Sequence, residues 1–525
     1  MKQAIFFFTF IQFSFLLFAQ NSFENGLKSI KKEVIQAELE FLSSDYLEGR
    51  EMGQKGGYVA AEYIASLMKL YGLQPLYNDY FQEFNVIELK QNGNNEFRIK
   101  QKTKNGEIVL SFQDKVDFSI DIIDLSRNLE AQVVFAGYGI TDNTLGYDDY
   151  KGLDVNGKFV FILDGFPGHT DKNSDAYKTF NQKYTIRRYA DNYSKAENAK
   201  THGAIGIIKL VADYEKNTWN SNKHYFDEEM LKKGQFPGNS FYDKEYILHE
   251  EQMTEELLEI KVTKRLAKSI LGKKDFDFET FENQVKQNQK PQSFNVAEIF
   301  VEVKTNIASS LVKCRNVCGI IKGKDTTTNI IVGAHYDHYG MYNNFIWNGA
   351  DDNGSGTTGM LTLAKAFSEM SEQPEHNLIF VAFDGEEKGL HGSTFFASEM
   401  PADMKVDYML NFDMISRNSR EDSLGNICYI ILANYNENIQ PVLEKSVSEN
   451  DLNLNLTYWP SDGKGGGSDH APFARKGIPY SFFWSGWHDD YHNPSDEIQK
   501  INWDKMLNLC KLGFIHVYEI DRNGL

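Results

Sequence analysis

The chain has 525 residues, 55 Lys and Arg against 74 Asp and Glu, and a formal net charge of −19. Its 41% apolar and 25% charged residues are ordinary for a globular protein. The acidic balance excludes a nucleic-acid binder, which needs a Lys/Arg-rich face, and the length exceeds the roughly 250–300 residues that one core normally fills.

At the N-terminus Lys2 precedes an apolar run from Ala4 to Phe18, interrupted only by Thr9, Gln12 and Ser14 and followed by Ala19-Gln20-Asn21. A basic residue, an apolar stretch and a small residue in that order predict a secretory signal over residues 1–19, with a cut near Ala19. The run is shorter than the roughly 20 residues a spanning helix needs, and no later stretch is apolar enough to span. The expected destination is therefore secreted or periplasmic, with no membrane span after cleavage.

Helical spacing runs from Val34 to Leu73, broken by Ser43-Ser44-Asp45 and by Gly49-Arg50-Glu51-Met52-Gly53. Its second half, Tyr58 to Tyr71, places Val59, Tyr63, Ile64 and Met68 at helical intervals, and Gly72 is a plausible stop. From about Glu130 the texture turns to short β runs, Val133 to Gly139 and Phe159 to Leu163. A helical stretch, Ser194 to His202, leads into Ala204 to Leu210. Residues 213–295 are polar and aromatic, and read as loop-rich. Cys314 and Cys318 fall in one strand-like segment, where a separation of about 13 Å exceeds disulfide reach. With Cys428 and Cys510 they read as structural or free thiols.

Beyond Asn316 the elements alternate. Ile330 to Ala334, Leu378 to Phe383, Tyr408 to Phe412, Tyr429 to Leu432 and Tyr480 to Trp484 read as strands. Gly354 to Met370, Gly392 to Glu399 and Trp503 to Tyr518 read as helices. Such alternation predicts an α/β fold with a mainly parallel sheet covered by helices.

Chemistry-bearing residues follow these runs. Strand ends deliver His335-Tyr336-Asp337, Asp384-Gly385-Glu386-Glu387 and Asp413, and sites in α/β sheets form outside the carboxyl ends of strands. His335 and Asp337 are two apart, so an extended chain puts them on one side, where the carboxylate can orient the imidazole. Gly349-Ala350-Asp351-Asp352-Asn353-Gly354-Ser355-Gly356 reads as a tight turn opening a helix, and a carboxylate there can bridge two cations or cap the helix. Glu386 and Glu387 point in different directions, so one suits a metal ligand and its neighbour a general base. A last loop carries Asp489-Asp490-Tyr491-His492-Asn493-Pro494-Ser495-Asp496.

Together, His335-Tyr336-Asp337, the Gly349–Gly356 turn, Gly385-Glu386-Glu387, Asn411-Phe412-Asp413-Met414-Ile415 and Tyr491-His492-Asn493-Pro494-Ser495-Asp496 resemble, in this order, the di-zinc exopeptidase family of bacterial leucyl aminopeptidase and glutamate carboxypeptidase II. The resemblance covers Asn316 to about Ile501 and extends weakly to Leu42–Arg50. The middle section is similar to the protease-associated domain often inserted in these enzymes. The resemblance implies a three-layer zinc-peptidase fold with a mainly parallel central sheet plus a β-rich insert. The expected domains are 20–128 as the N-terminal part of the peptidase, 129–297 as the insert and 298–525 as the di-zinc domain.

Carried over by position, the resemblance implies one zinc on His335 and Asp413, a second on Glu387 and His492, and Asp352 bridging them. Glu386 matches the general base, Asp337 the partner of His335, and Tyr491 a tyrosine that steadies the tetrahedral intermediate in the carboxypeptidase branch. Asp496 is expected to orient His492, and a cis peptide is expected after Asp352. Two Zn²⁺ against three carboxylates leave one positive charge, which a bridging hydroxide would cancel. His338, His391 and His488 match no ligand position. His470 falls near the pocket wall in the family, with Ser468 or Asp469 expected to cap a helix; Phe483, Trp484 and Trp487 would line the pocket or pack.

The implied function is an exported zinc-dependent aminopeptidase acting on peptides. The rivals are a carboxypeptidase or dipeptidase of the same family, a glutaminyl cyclase-like acyltransferase using one zinc, and an inactive receptor-like binding protein.

Overall fold

The structure, a computed structural model, describes residues 22–77, 79–120, 126–184, 188–210, 244–248, 257–271, 276–342, 345–401, 404–433, 438–461 and 466–524. The expected signal, residues 1–19, lies outside them, as does much of 213–295. Among the described residues no helix is long and apolar enough to cross a membrane.

The chain divides into two compact units, residues 1–86 with 311–525, and residues 87–310. In the first, strands β1 (Phe81–Gln91), β2 (Ile307–Ile321), β3 (Asp325–His335), β4 (His376–Phe383), β5 (Lys405–Phe412), β6 (Ile427–Ala433), β7 (Asn455–Ser461) and β8 (Tyr480–Trp484) form a mixed sheet in the order β1-β2-β4-β3-β5-β8-β6-β7. Its centre, β4-β3-β5-β8, is parallel, as the alternating pattern predicts, while β2 and β6 join it antiparallel.

Alternation along each central strand sorts side chains into two layers, because successive residues point to opposite faces. Ile330, Val332, Leu378, Phe380, Leu410 and Phe412 pack on one side with α1 (Lys32–Leu42), α2 (Lys55–Leu70), α3 (Gly356–Ser368) and α7 (Trp503–Asn523). Ile331, Ile379, Val381, Met409 and Phe482 face the other side, with Phe396 of α4 (His391–Ser398) and Phe473 of α6 (Ala471–Arg475). A further helix, α5 (Ile439–Glu449), adds Ile439 and Leu443 to the first layer. Sheet between helical layers is the three-layer α/β arrangement expected. The break between α1 and α2 is a tight turn, Asp45–Arg50, and Gly72 follows α2 with φ of +81°.

The second unit has an eight-stranded sheet whose parallel centre is Asn128–Phe135, Phe159–Leu163, Gly206–Leu210 and Leu258–Val262. The structural division differs from the expected boundaries of 129–297. Strand Glu96–Thr103 pairs with Phe294–Lys304 and with Gly106–Phe112, so the region before residue 129 completes this sheet. Those strands are polar on one face and give no change of texture to mark the boundary. The region read as loop-rich also contains order: Leu258–Val262 is a strand, and Lys264–Leu271 and Phe278–Asn288 are helices. Their few apolar residues, such as Leu266, Ile270, Phe281 and Val285, are enough to line one buried face each. All four cysteines are buried free thiols.

Candidate metal centre

Three carboxyl ends of the parallel strands, the turn before α3 and one loop bring the expected residues together. β3 ends at His335, whose Nε2 lies 3.5 Å from Oδ1 of Asp352, 3.5 Å from Oδ1 of Asp413 and 3.9 Å from Oε2 of Glu386. His492 turns its Nε2 to Oδ2 of Asp352 at 3.1 Å and to Oε2 of Glu387 at 3.3 Å. Asp352 therefore presents one oxygen to each imidazole. His335, Asp352, Asp413 and His492 are buried, while the Glu386 side chain keeps 13% of its surface exposed.

The donor set fits metal ions. His335 Nε2 is buried with no hydrogen-bond partner, although carboxylates surround it. Two ligand atoms each about 2.0–2.1 Å from a tetrahedral zinc lie roughly 3.3 Å apart, and the spacings of 3.5 and 3.1 Å around Asp352 bracket that figure. The described residues contain two candidate clusters, His335 with Glu386 and Asp413, and His335 with Asp352 and Glu387. Electrostatics agree. Burial and the charges of Glu387 and Asp413 push the Asp352 carboxyl well up, and burial likewise raises Glu386 and Glu387. Burial pulls the His335 imidazole down, but Glu386 and Asp413 outweigh it and hold it high. So dense a set of buried acids is a donor set suited to cations.

Supporting contacts hold these groups. Asp337 accepts the amides of Glu386 and Glu387 at 3.0 and 3.3 Å, fixing the β4 end to the β3 end. His335 Nδ1 is 3.2 Å from the Asp337 carbonyl oxygen and 3.6 Å from its carboxylate. Asn353 ties the turn to β5: its Nδ2 donates to Phe412 O at 2.9 Å, and its Oδ1 accepts from Gly356 and Met414 amides at 2.9 and 3.1 Å. Gly356 has to be glycine here, since a Cβ would meet Phe412 O at 2.5 Å. The Asp352–Asn353 peptide is cis, and His492 and Met414 adopt φ of +54° and +56°.

Several expectations are corrected. Asp496 does not reach His492; its Oδ2 accepts the amides of Asp351 and Asp352, both at 3.0 Å, so it positions the turn instead. Tyr339 takes the place beside His492, with its hydroxyl 3.3 Å from Nδ1. Asp351 does not cap α3. It accepts from Ser416 N and Oγ at 2.8 and 2.6 Å and faces His488 Nε2 at 3.2 Å. No side chain caps α6, and Ser468 instead accepts from Asn411 at 2.8 Å. His470 is buried between the rings of Tyr480 and Phe482, and burial lowers it to about 3.

Tyr491 stacks on His492 with ring centroids 3.6 Å apart and meets Trp487 edge-on at 4.5 Å. Trp484 packs against Trp487 and Tyr429. Phe483 faces Phe412 in the opposite layer, so it belongs to the core.

The sequence reading missed Arg50. This buried guanidinium donates to the carbonyls of Leu42, Tyr336, Asn348 and Gly349. Burial lowers it to about 10, against the opposing pull of Asp337, Asp352, Asp496 and Glu387. Only the faint likeness of Leu42–Arg50 to the family's opening segment signalled it. His338 was also set aside, yet its Nδ1 lies 2.6 Å from Oε1 of Glu387.

Residues 316–512 match the profile of peptidase family M28. The chain is 31% identical over 182 residues to leupeptin-inactivating enzyme 1 of Streptomyces exfoliatus, covering 34% of this chain and 37% of that protein. It spans well under two thirds of the curated relatives it matches. Its fold is similar to an aminopeptidase from Aneurinibacillus sp. strain AM-1, with a TM-score of 0.55, 19% identity and 95% of each chain covered. A second similar structure is a zinc aminopeptidase from Bacillus subtilis, with a TM-score of 0.50, 19% identity, and 93% of this chain and 95% of that one covered. Over residues 316–512 the chain is therefore similar to peptidase family M28.

Proposed function

We propose that the chain is an exported zinc-dependent aminopeptidase, with two zinc ions at the centre and the second unit as a protease-associated insert. One observation carries this reading: His335 and His492 each face a different oxygen of Asp352, with Asp413 beside the first and Glu387 beside the second. His335 and Asp413 would hold one zinc, Glu387 and His492 the other, and Asp352 would touch both. The zinc aminopeptidase of similar fold supports the choice of metal.

Bound there, the ions would supply Lewis acidity that polarises a scissile carbonyl and acidifies the attacking water. Glu386, partly exposed and with its carboxyl raised by burial, takes the proton of that water and passes it to the leaving amine. Burial and the surrounding carboxylates keep the Tyr491 phenol protonated, so it can donate to the carbonyl oxygen as that atom gains charge. Asp337 keeps the Glu386 amide fixed, and with it the base. Export rests on the apolar segment Ala4 to Phe18.

The test is hydrolysis of free and N-blocked dipeptides, with and without a chelator, alongside zinc per chain. The expected result is cleavage of free N-termini, loss with chelator, recovery with zinc and about two ions per chain. Preference for blocked substrates indicates a carboxypeptidase or another family activity. Cyclisation of N-terminal glutamine without hydrolysis indicates an acyltransferase, and absence of both zinc and turnover a binding protein.

A further inference from the structure

His338 follows the β3 ligand by three residues and is fully buried. Its Nδ1 lies 2.6 Å from Oε1 of Glu387. The next residue, Tyr339, is also buried; its hydroxyl lies 3.3 Å from Nδ1 of His492 and hydrogen-bonds Glu387 as well. Two consecutive side chains thus touch the two groups assigned to one zinc. Resting on that assignment, we infer that His338 and Tyr339 are positioning residues that tune the Glu387–His492 metal position alone.

The donor chemistry runs in one direction. An ionised carboxylate only accepts, so the hydrogen between His338 and Glu387 sits on Nδ1. Oε1 is thereby occupied, and Oε2, 3.3 Å from His492 Nε2, is the oxygen left to face the metal position. With His492 Nε2 turned toward Asp352 and Glu387, its proton sits on Nδ1 and points to the Tyr339 oxygen. Tyr339 then donates its own hydrogen to Glu387. The chain His492–Tyr339–Glu387–His338 fixes the rotation of one imidazole and one carboxylate. The other position has separate support, since His335 Nδ1 faces Asp337.

The experiment titrates metal-free full-length wild type, H338A, H338N and Y339F with Zn²⁺ against a chromophoric chelator at one pH. Unfolding temperatures of the metal-free proteins are measured in parallel. Asparagine can place an amide donor near the imidazole Nδ1. Two binding steps are expected for wild type. H338A should weaken one step by about 10–100-fold and leave the other unchanged. H338N should recover most of that loss, and Y339F should weaken the same step by about threefold to tenfold.

Unchanged binding in H338A overturns the inference, as does equal weakening of both steps with a lowered unfolding temperature. If H338A does not fold, Y339F decides: an unchanged titration overturns the inference, and selective loss of one step supports it. A wild type that binds fewer than two ions overturns the two-zinc reading itself, and this inference falls with it.

Discussion

Both compact units centre on parallel strands, but they use their buried charged groups differently. In the first, the strand ends carry His335, Glu386 with Glu387, and Asp413, and the carboxylates stand at ligand spacing from imidazoles. In the second, buried charge is satisfied within the unit. Asp149 accepts the amides of Tyr138 and Ile140 and the hydroxyl of Tyr147, while Lys209 lies between Asp164 and Glu259. Both candidate metal clusters among the described residues belong to the first unit. A buried carboxylate saturated by its own chain braces a fold; one facing an unpartnered imidazole nitrogen is a candidate metal ligand.

The sharpest way to break this contrast is to remove charge from each unit in turn. E386Q should lower kcat by about 10²–10⁴-fold with zinc content unchanged, whereas D149N should leave kcat/KM at the wild-type value. Equal loss in both variants would refute the assignment of chemistry to one unit.

Next in size is R50M, which strips the donors from four buried carbonyls and should destabilise the first unit by about 3 kcal/mol or more. Five of the six tryptophans, Trp347, Trp459, Trp484, Trp487 and Trp503, lie in that unit, so fluorescence-detected urea unfolding reads the effect. R50K should recover only part, because one ammonium cannot reach all four oxygens.

Individual buried groups should contribute to the pH response in opposite senses, His516 and His391 in one and Asp149 in the other. Burial lowers His516 from 6.5 to about 3 and His391 to about 4, both in the first unit. The unfolded chain binds protons first at these two histidines, so their contribution is complete above pH 6.5 and is lost as pH falls toward 4. Burial raises Asp149 in the second unit from 3.8 to about 7. There the folded state holds the proton more tightly, so its contribution is complete below pH 3.8 and is lost as pH rises through 7. The difference between wild type and H516N in tryptophan-detected unfolding should show the histidine slope, and hydrogen exchange in Phe159–Leu163 the Asp149 slope. D149N should flatten the second slope alone.

The smallest effect is a packing change. I260V in the second unit's core should cost about 1 kcal/mol there, read by the same exchange measurement, with peptide hydrolysis unaffected.

Much of this was legible in the sequence. Strand ends announced themselves because a run such as Phe380-Val381-Ala382-Phe383 stops abruptly at acidic residues. The order of the five segments carried the resemblance, and the ligand positions proposed from it fall within one cluster of side chains. Helix and strand positions in the first unit followed from alternation and 3.6-residue spacing. The domain boundary was not legible, because strand Glu96–Thr103 belongs to its sheet through pairing with Phe294–Lys304, nearly two hundred residues later. Nor were the partners around the ligands: Asp496 resembles a neighbour of His492 in the chain but bonds the amides before Asp352.

The sequence by itself determined which residue types stand at the strand ends, since local hydrophobic patterning and turn chemistry are encoded within a few residues. Only the tertiary structure brings Arg50 to the carbonyls of Tyr336 and Gly349, His338 to Glu387 and Tyr339 to His492. Their roles depend on hydrogen bonds between segments far apart in the chain, and a buried donor declares its function only once its acceptor is beside it.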